Sequence, residues 1–176
     1  MQKKVTINQT TQTVTNERLW ESVIDNHIFM MENDMIPELL QLEDICFNPT
    51  LYSSLLTKKS IAHLIGSGNG FIIVYKQDNK IAGYAQITFR RNLAAGRFYS
   101  LAVHPDFQGK GIANILFSSV EKICKALDAT NVLLEIREDN DTLKSRYEKL
   151  GYKQYRLVKN YYPDGCAAIK MQRNVS

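Results

Sequence analysis

Leu101-Ala102-Val103-His104-Pro105-Asp106-Phe107-Gln108-Gly109-Lys110-Gly111-Ile112-Ala113 is the stretch from which the rest of the chain can be read. Its apolar head is the end of a strand, and His104-Pro105-Asp106 stops it, because proline has no N–H to give a ladder. Small residues at Gly109, Gly111 and Ala113 then open a long amphipathic segment, Gly111 to Leu127. There Ile112, Ile115, Leu116, Val120, Ile123 and Leu127 fall on one helical stripe. A helix start presents unpaired N–H groups at the positive end of its dipole and is a ready site for an anion. Glycines let a phosphate approach the backbone and permit positive φ, and Lys110 adds a cation. The spacing reads as a pyrophosphate-binding turn, although an unliganded strand-to-helix turn satisfies it too.

Upstream lies a meander. Phe71–Lys76 and Ile81–Arg90 read as strands joined by a turn at Gln77–Lys80, Asn92–Gly96 as a loop, and Phe98–Val103 as a third strand. Downstream, Val132–Ile136 is a strand and Asp141–Leu150 a helix ended by Gly151 in the C′ position. Tyr152–Val158 and Ala167–Met171 are a final strand pair, bridged by Lys159–Cys166. Nearer the start, Ile28–Met31 reads as a first strand. Met35, Ile36, Leu39, Leu40 and Leu42 have helical spacing, with Asp34 as N-cap and Pro37 in the first turn. A short helix through Ile61, Leu64 and Ile65 is broken by Gly66-Ser67-Gly68-Asn69-Gly70. The order predicts an α/β fold with a mixed sheet. Residues 1–27, Thr- and Gln-rich and then weakly helical around Glu17 to Ile24, read as an N-terminal extension to a domain spanning 28–176.

The 176 residues suit one domain. A hydrophobic fraction of 44% with 23% charged residues excludes disordered and fibrous classes. No apolar run approaches the ~18 residues of a membrane span, and the start turns polar before any signal-peptide core forms. Cys46, Cys124 and Cys166 are odd in number and far apart, which reads as reduced thiols in a cytoplasm. The net charge of +4 hides a division: residues 1–50 carry 3 basic and 8 acidic side chains, residues 51–176 carry 19 and 10. A basic majority fits nucleic acid, a membrane surface or a small polyanion. No basic stripe interleaved with aromatics supports nucleic acid, so the polyanion is expected, with no nucleic-acid or membrane partner.

Competing motifs fail. Neither a nucleotide P-loop nor Gly-x-Gly-x-x-Gly opens a helix here. His27, His63 and His104 have no metal spacing. Asp139-Asn140-Asp141 fails as a calcium loop, since Lys144 and Leu150 stand at its positions 6 and 12. No metal is expected, and no Ser–His or Cys–His nucleophile is evident.

Gln108-Gly109-Lys110-Gly111-Ile112-Ala113 resembles the Gln/Arg-x-x-Gly-x-Gly/Ala signature of the GNAT acyl-CoA N-acyltransferases. Leu133-Leu134-Glu135-Ile136-Arg137, Asn140, Tyr147 and Leu150-Gly151-Tyr152 follow in that family's order. Asn160-Tyr161-Tyr162-Pro163-Asp164-Gly165 before Ala168-Ile169-Lys170-Met171 is most similar to the RimI-type branch, which acetylates protein N-termini, including that of a ribosomal protein. The resemblance implies a splayed central sheet and acetyl-CoA as cosubstrate. Its pantetheine arm would bond the backbone of Leu101, Ala102 and Val103 and meet Asn140. N–H groups from Gln108 through Gly109, Lys110, Gly111 and Ile112 to Ala113 would hold the pyrophosphate. It further implies Tyr147 as general acid for the departing thiolate and Glu135 as general base through water, with Tyr161 and Tyr162 bordering the acceptor.

Those residue types suit the reaction. An amine attacking a thioester must lose a proton and the leaving sulfur must gain one, which a carboxylate and a phenol can serve. An α-amine titrates near 7.7–8.0 and lysine near 10.4, so lysine costs about 3 kcal/mol more to deprotonate at neutral pH. That favours a protein or peptide N-terminus as acceptor. A small amine (polyamine, aminoglycoside or metabolite) and a non-catalytic acyl-CoA-binding module stay open, as does the choice between monomer and homodimer.

Overall fold

Glycine at one residue decides how closely the sheet and its main helix pack. A Cβ on Gly96 would stand 2.7 Å from the Ile87 side chain and 2.9 Å from the Cys124 sulfur, so any larger residue would force the Ile87 and Cys124 side chains to shift. In the computed structural model, which describes residues 25–52, 56–89 and 94–176, Gly96 lies inside a strand. The meander comprises β1 (Ile28–Met30), β2 (Gly70–Gln77), β3 (Lys80–Phe89) and β4 (Ala95–Val103). The remaining strands are β5 (Asn131–Arg137), β6 (Lys153–Val158) and β7 (Ala168–Asn174). Among the described residues four α-helices cover them: α1 (Ile36–Cys46), α2 (Lys58–Ser67), α3 (Ile112–Ala126) and α4 (Asp141–Lys149).

The seven strands form one sheet in the order β1-β2-β3-β4-β5-β7-β6, so the expected mixed α/β architecture holds. The β2–β3 hairpin turns at Asp78 and Asn79, both at positive φ (52° and 61°). Asp and Asn tolerate that conformation better than other non-glycine residues. All neighbouring strands are antiparallel except β4 and β5, which run parallel and pair at only three positions: Ala95↔Asn131, Gly96↔Val132 and Arg97↔Leu133. Beyond these, Phe98–Val103 and Leu134–Arg137 run on without pairing to each other, and the sheet opens into a V.

Each face of the sheet carries its own core. On one, α3 buries Ile112, Leu116, Phe117, Val120, Ile123 and Cys124 against β2, β3 and β4. The Phe117 ring stacks on Phe98 at 5.0 Å and meets Tyr147 of α4 at 5.4 Å. On the other face, α1 and α2 bury Ile36, Leu39, Leu42, Ile61 and Leu64 against Ile72, Val74 and Tyr84. Burial of each such large side chain contributes about 1.5–3 kcal/mol.

Two local expectations need correction. Ala95 and Gly96 are not loop but the start of β4, because the parallel pairing with β5 reaches both and Gly96 also pairs with Phe89 of β3. Asp34 is not the N-cap of α1. It sits in a 3₁₀ turn, Asn33–Met35, that runs directly into the helix and leaves Met35 at the cap without a side-chain bond. The helical reading of Glu17–Ile24, the Arg90 end of the second meander strand and the first two residues of the Asn92–Gly96 loop lie outside the described residues.

Candidate active site

The turn after β4 has the properties of an anion cradle. Gly109 and Gly111 have φ of +76° and +81°, a left-handed conformation that L side chains rarely adopt, and a Cβ at either would meet no protein atom within 4 Å. The glycines therefore face open space rather than filling a packing gap. Gly111 is the N-cap of α3, and its carbonyl accepts from Asn114 and Ile115. Among the described residues, the N–H groups from Gly109 to Ala113 donate to no protein acceptor, whereas that of Gln108, expected among the phosphate donors, is taken by the Pro105 carbonyl at 3.2 Å because it closes the 3₁₀ turn. Lys110 lies with its ammonium 4.8 Å over the Phe107 ring, and the Gln108 amide donates to the Val103 carbonyl at 3.1 Å, tying the turn to the strand end. Five donors around a dipole's positive end suit a pyrophosphate.

Where β4 and β5 part, a pocket of about 190 Å³ opens between them. It brings together Leu101, Glu135, Arg137, Asn140, Tyr147, Tyr161 and Tyr162, all named from the sequence, with Glu43, Arg97 and Ser100, which were not. Asn140 caps α4, its side-chain oxygen accepting from the Leu143 N–H at 3.0 Å. Tyr147 is half-buried between Phe117 and Tyr152. Burial pushes its hydroxyl up from the ordinary phenol value, with Arg146 opposing only in part, so it is a neutral donor at physiological pH. Ala102 is buried in the α1/α2 core and Val103 is half-buried, and neither lines the pocket.

Glu135 is held from three sides. Lys170, its register partner in β7, lies 2.7 Å from one oxygen. Arg97 and the Tyr161 hydroxyl donate to the other at 2.7 and 2.5 Å. Burial alone would raise its pKa, but Lys170, Tyr161 and Arg97 together outweigh that and leave it below the usual carboxylate value. Arg137 does not pair with Glu135, its neighbour on the same strand face. It turns to Asp139 and Asp164, at 2.7 and 2.6 Å, and lies 4.9 Å under the Tyr162 ring. Cross-strand neighbours stand ~4.5–5.5 Å apart and same-face residues along one strand ~6.6 Å, so Lys170 reaches Glu135 first.

The Glu135 contacts carry a stability consequence. A carboxylate held below its unfolded value adds stability that is present above that value and is lost as pH falls through the folded one. Glu135→Gln is expected to cost about 1–3 kcal/mol at pH 7. In urea melts the gap to wild type should narrow as the pH falls below 4.5. A gap that stays constant with pH would mean the ion pairs add nothing.

The acetyltransferase (GNAT) domain family matches residues 40–175. The chain belongs to the GNAT acetyltransferase family. A Bacillus subtilis (strain 168) protein, provisionally named a ribosomal protein bS18-alanine N-acetyltransferase, is 30% identical over 130 residues, 71% of this chain and 85% of that protein. The crystal structure of the Escherichia coli ribosomal-protein-S18-alanine N-acetyltransferase superposes with a TM-score of 0.72 at 24% identity, over 85% of this chain and 93% of that one. A Salmonella typhimurium acetyltransferase solved with acetyl-CoA shares the fold at a TM-score of 0.69 and 13% identity, over 85% and 93% of the two chains. This GNAT enzyme is an acetyl-CoA-dependent N-acetyltransferase that moves an acetyl group to a primary amine.

In this GNAT chain the residues missed from sequence are those that answer others across the sheet. Arg97 lies 38 positions from Glu135 in the chain, and Lys170 meets it only through the β5–β7 register. Among the described residues no helix is long and apolar enough to cross a membrane, and no cluster of three metal-ligating side chains occurs.

Proposed function

We propose that this enzyme acetylates the N-terminal α-amine of a protein or peptide, a ribosomal protein's N-terminal alanine being the first candidate, met in the cytoplasm. The observation that carries the reading is the pocket at the mouth of the V. An anionic Glu135 stands there among the rings of Tyr161 and Tyr162, while Tyr147 lies on the α3/α4 side. Its ~190 Å³ is below the ~300–1,000 Å³ that holds drug-sized ligands, which suits a chain end better than a whole aminoglycoside. The similarity to proteins named for bS18-alanine and S18-alanine acetylation supports the same choice.

In this reading the acetyl-CoA pyrophosphate rests on the N–H groups of Gly109 to Ala113, and the pantetheine arm enters the V along the backbone of Leu101–Val103 beside Asn140. Tyr147 gives its proton to the departing sulfur. Glu135, pinned by Lys170, Arg97 and Tyr161, is a weak base at neutral pH; its part is to hold Arg97 and the Tyr161 hydroxyl in place at the acceptor mouth. Residues 1–27 are an extension to the 28–176 domain.

The test is thiol release from acetyl-CoA with a library of short peptides, alongside spermidine and an aminoglycoside. Turnover confined to peptides with a free N-terminus, and lost when that terminus is blocked, is expected. Turnover of spermidine or the aminoglycoside but no peptide would overturn the assignment.

A further inference from the structure

One carboxylate at the pocket is unused by the reaction as so far described. Glu43 projects from α1 at only 2% exposure, yet it lines the same pocket as Glu135. One oxygen accepts from the Leu56 N–H at 3.0 Å. The other is hydrogen-bonded to the Tyr84 hydroxyl, and that hydroxyl lies 2.8 Å from the Ser100 hydroxyl. Tyr84 is fully buried, whereas Ser100 is half-buried on the part of β4 that pairs with β3 but no longer with β5, and it lines the pocket. Three hydroxyl or carboxyl groups thus form an unbroken chain from the acceptor side of the V into the protein.

We propose that Glu43, reached through Tyr84 and Ser100, is the proton acceptor for the amine. This rests on the reaction proposed above and assigns the base that Glu135 is too strongly paired to be. The protons pass along the chain in one direction. The ammonium gives a proton to the Ser100 oxygen, Ser100 passes its own to Tyr84, and Tyr84 passes its own to Glu43, leaving a neutral amine and a carboxylic acid. The amine nitrogen then bonds to the thioester carbonyl carbon and the carbon–sulfur bond breaks. Tyr147 protonates the sulfur and is restored by the second N–H proton released as the amide forms. Glu43 returns its proton to solvent after product leaves.

The surroundings of the two carboxylates point the same way. Around Glu43 stand Asp44 and Cys46 on its own helix, Tyr84 from β3, and Arg97, Glu135 and Arg137 across the pocket. Burial raises the Glu43 pKa above the carboxylate value, with Tyr84 and Leu56 only partly offsetting it and Asp44 adding to it. Glu135 is driven the opposite way. Carboxylates whose environments push their affinities for protons apart divide acid–base and electrostatic roles between them.

Glu43→Gln, Tyr84→Phe and Ser100→Ala test the chain. Glutamine keeps the acceptor for the Leu56 N–H, and the other two leave Glu43 intact, so a folding defect in one does not decide the matter. With saturating acetyl-CoA, kcat of Glu43→Gln at pH 7 is expected to fall about 100-fold. It should recover toward wild type above pH ~8, where an α-amine deprotonates unaided. Tyr84→Phe and Ser100→Ala should each lose about tenfold, with acetyl-CoA affinity within twofold of wild type. A Glu43→Gln profile parallel to wild type, or wild-type kcat in both Tyr84→Phe and Ser100→Ala, would overturn the proposal. Assays run on an alanine-initiated peptide and on spermidine keep the two readings apart. The acceptor that wild type uses tests the proposed function, and the ratio of variant to wild type on that acceptor tests the chain.

Discussion

Gly111→Val is expected to weaken acetyl-CoA binding by at least 100-fold while the protein still folds. The residue sits at φ +81° as the N-cap of α3. A β-branched side chain there is strained by about 1–3 kcal/mol. A Cβ meets no protein atom within 4 Å, so that strain is the main cost to folding, and a melting point a few degrees lower should result. The cofactor fares worse. The valine methyls would fill the space over the Gly109–Ala113 N–H groups, and relaxation of φ would turn those donors away. Each hydrogen bond to a charged phosphate is worth about 1.5–3 kcal/mol, so losing two removes roughly two to four orders of magnitude. Calorimetry with acetyl-CoA gives the answer. Affinity within threefold of wild type would show that the pyrophosphate does not lie on this turn.

Tyr147→Phe should act on the other term of the rate equation. The variant keeps the ring that packs 5.4 Å from Phe117 and 5.8 Å from Tyr152, and loses only the hydroxyl. Acetyl-CoA affinity and melting temperature should therefore stay near wild type. Positioned general acids contribute about 10²–10⁴-fold, and a fall in kcat of that order is expected in a thiol-release assay. The pH dependence supplies a second reading. Because burial raises the Tyr147 pKa, the wild-type rate should hold above the ordinary phenol value of 10.0 before the acid is lost, and the variant should show no such limb. A kcat within threefold of wild type would remove Tyr147 from the chemistry.

These two residues were legible in the sequence, while the partners that govern Glu135 and Glu43 were not. Glycine spacing at a helix start and a tyrosine seven residues after Asn140 are local patterns. Glu43 did leave a trace: it stands four residues after Leu39 and seven after Ile36, on the stripe that α1 buries. A charged residue in an apolar stripe is uncommon unless something pairs with it. That pattern names no partner, and Tyr84 lies 41 positions away. The misplaced start of β4 has the same origin. Ala95 and Gly96 have weak strand propensity, and their pairing with Asn131 and Val132 of β5, and of Gly96 with Phe89 of β3, makes them strand.

From its sequence alone the chain was a mixed α/β domain with a phosphate-holding turn, a phenol and a carboxylate in the right order. The fold and the turn follow from periodicity, glycine conformation and helix-end chemistry, all set within about a dozen residues, while the phenol and the carboxylate were picked out by the resemblance to the GNAT family. Tertiary structure decided what the carboxylates can do. It opened the sheet after three paired positions, tied Glu135 to Lys170, Arg97 and Tyr161, and buried Glu43 against Tyr84. A carboxylate's affinity for a proton depends on burial and on charges within a few ångströms. Strand register and helix packing bring those charges together from distant parts of the chain, so no local reading of the residues contains them.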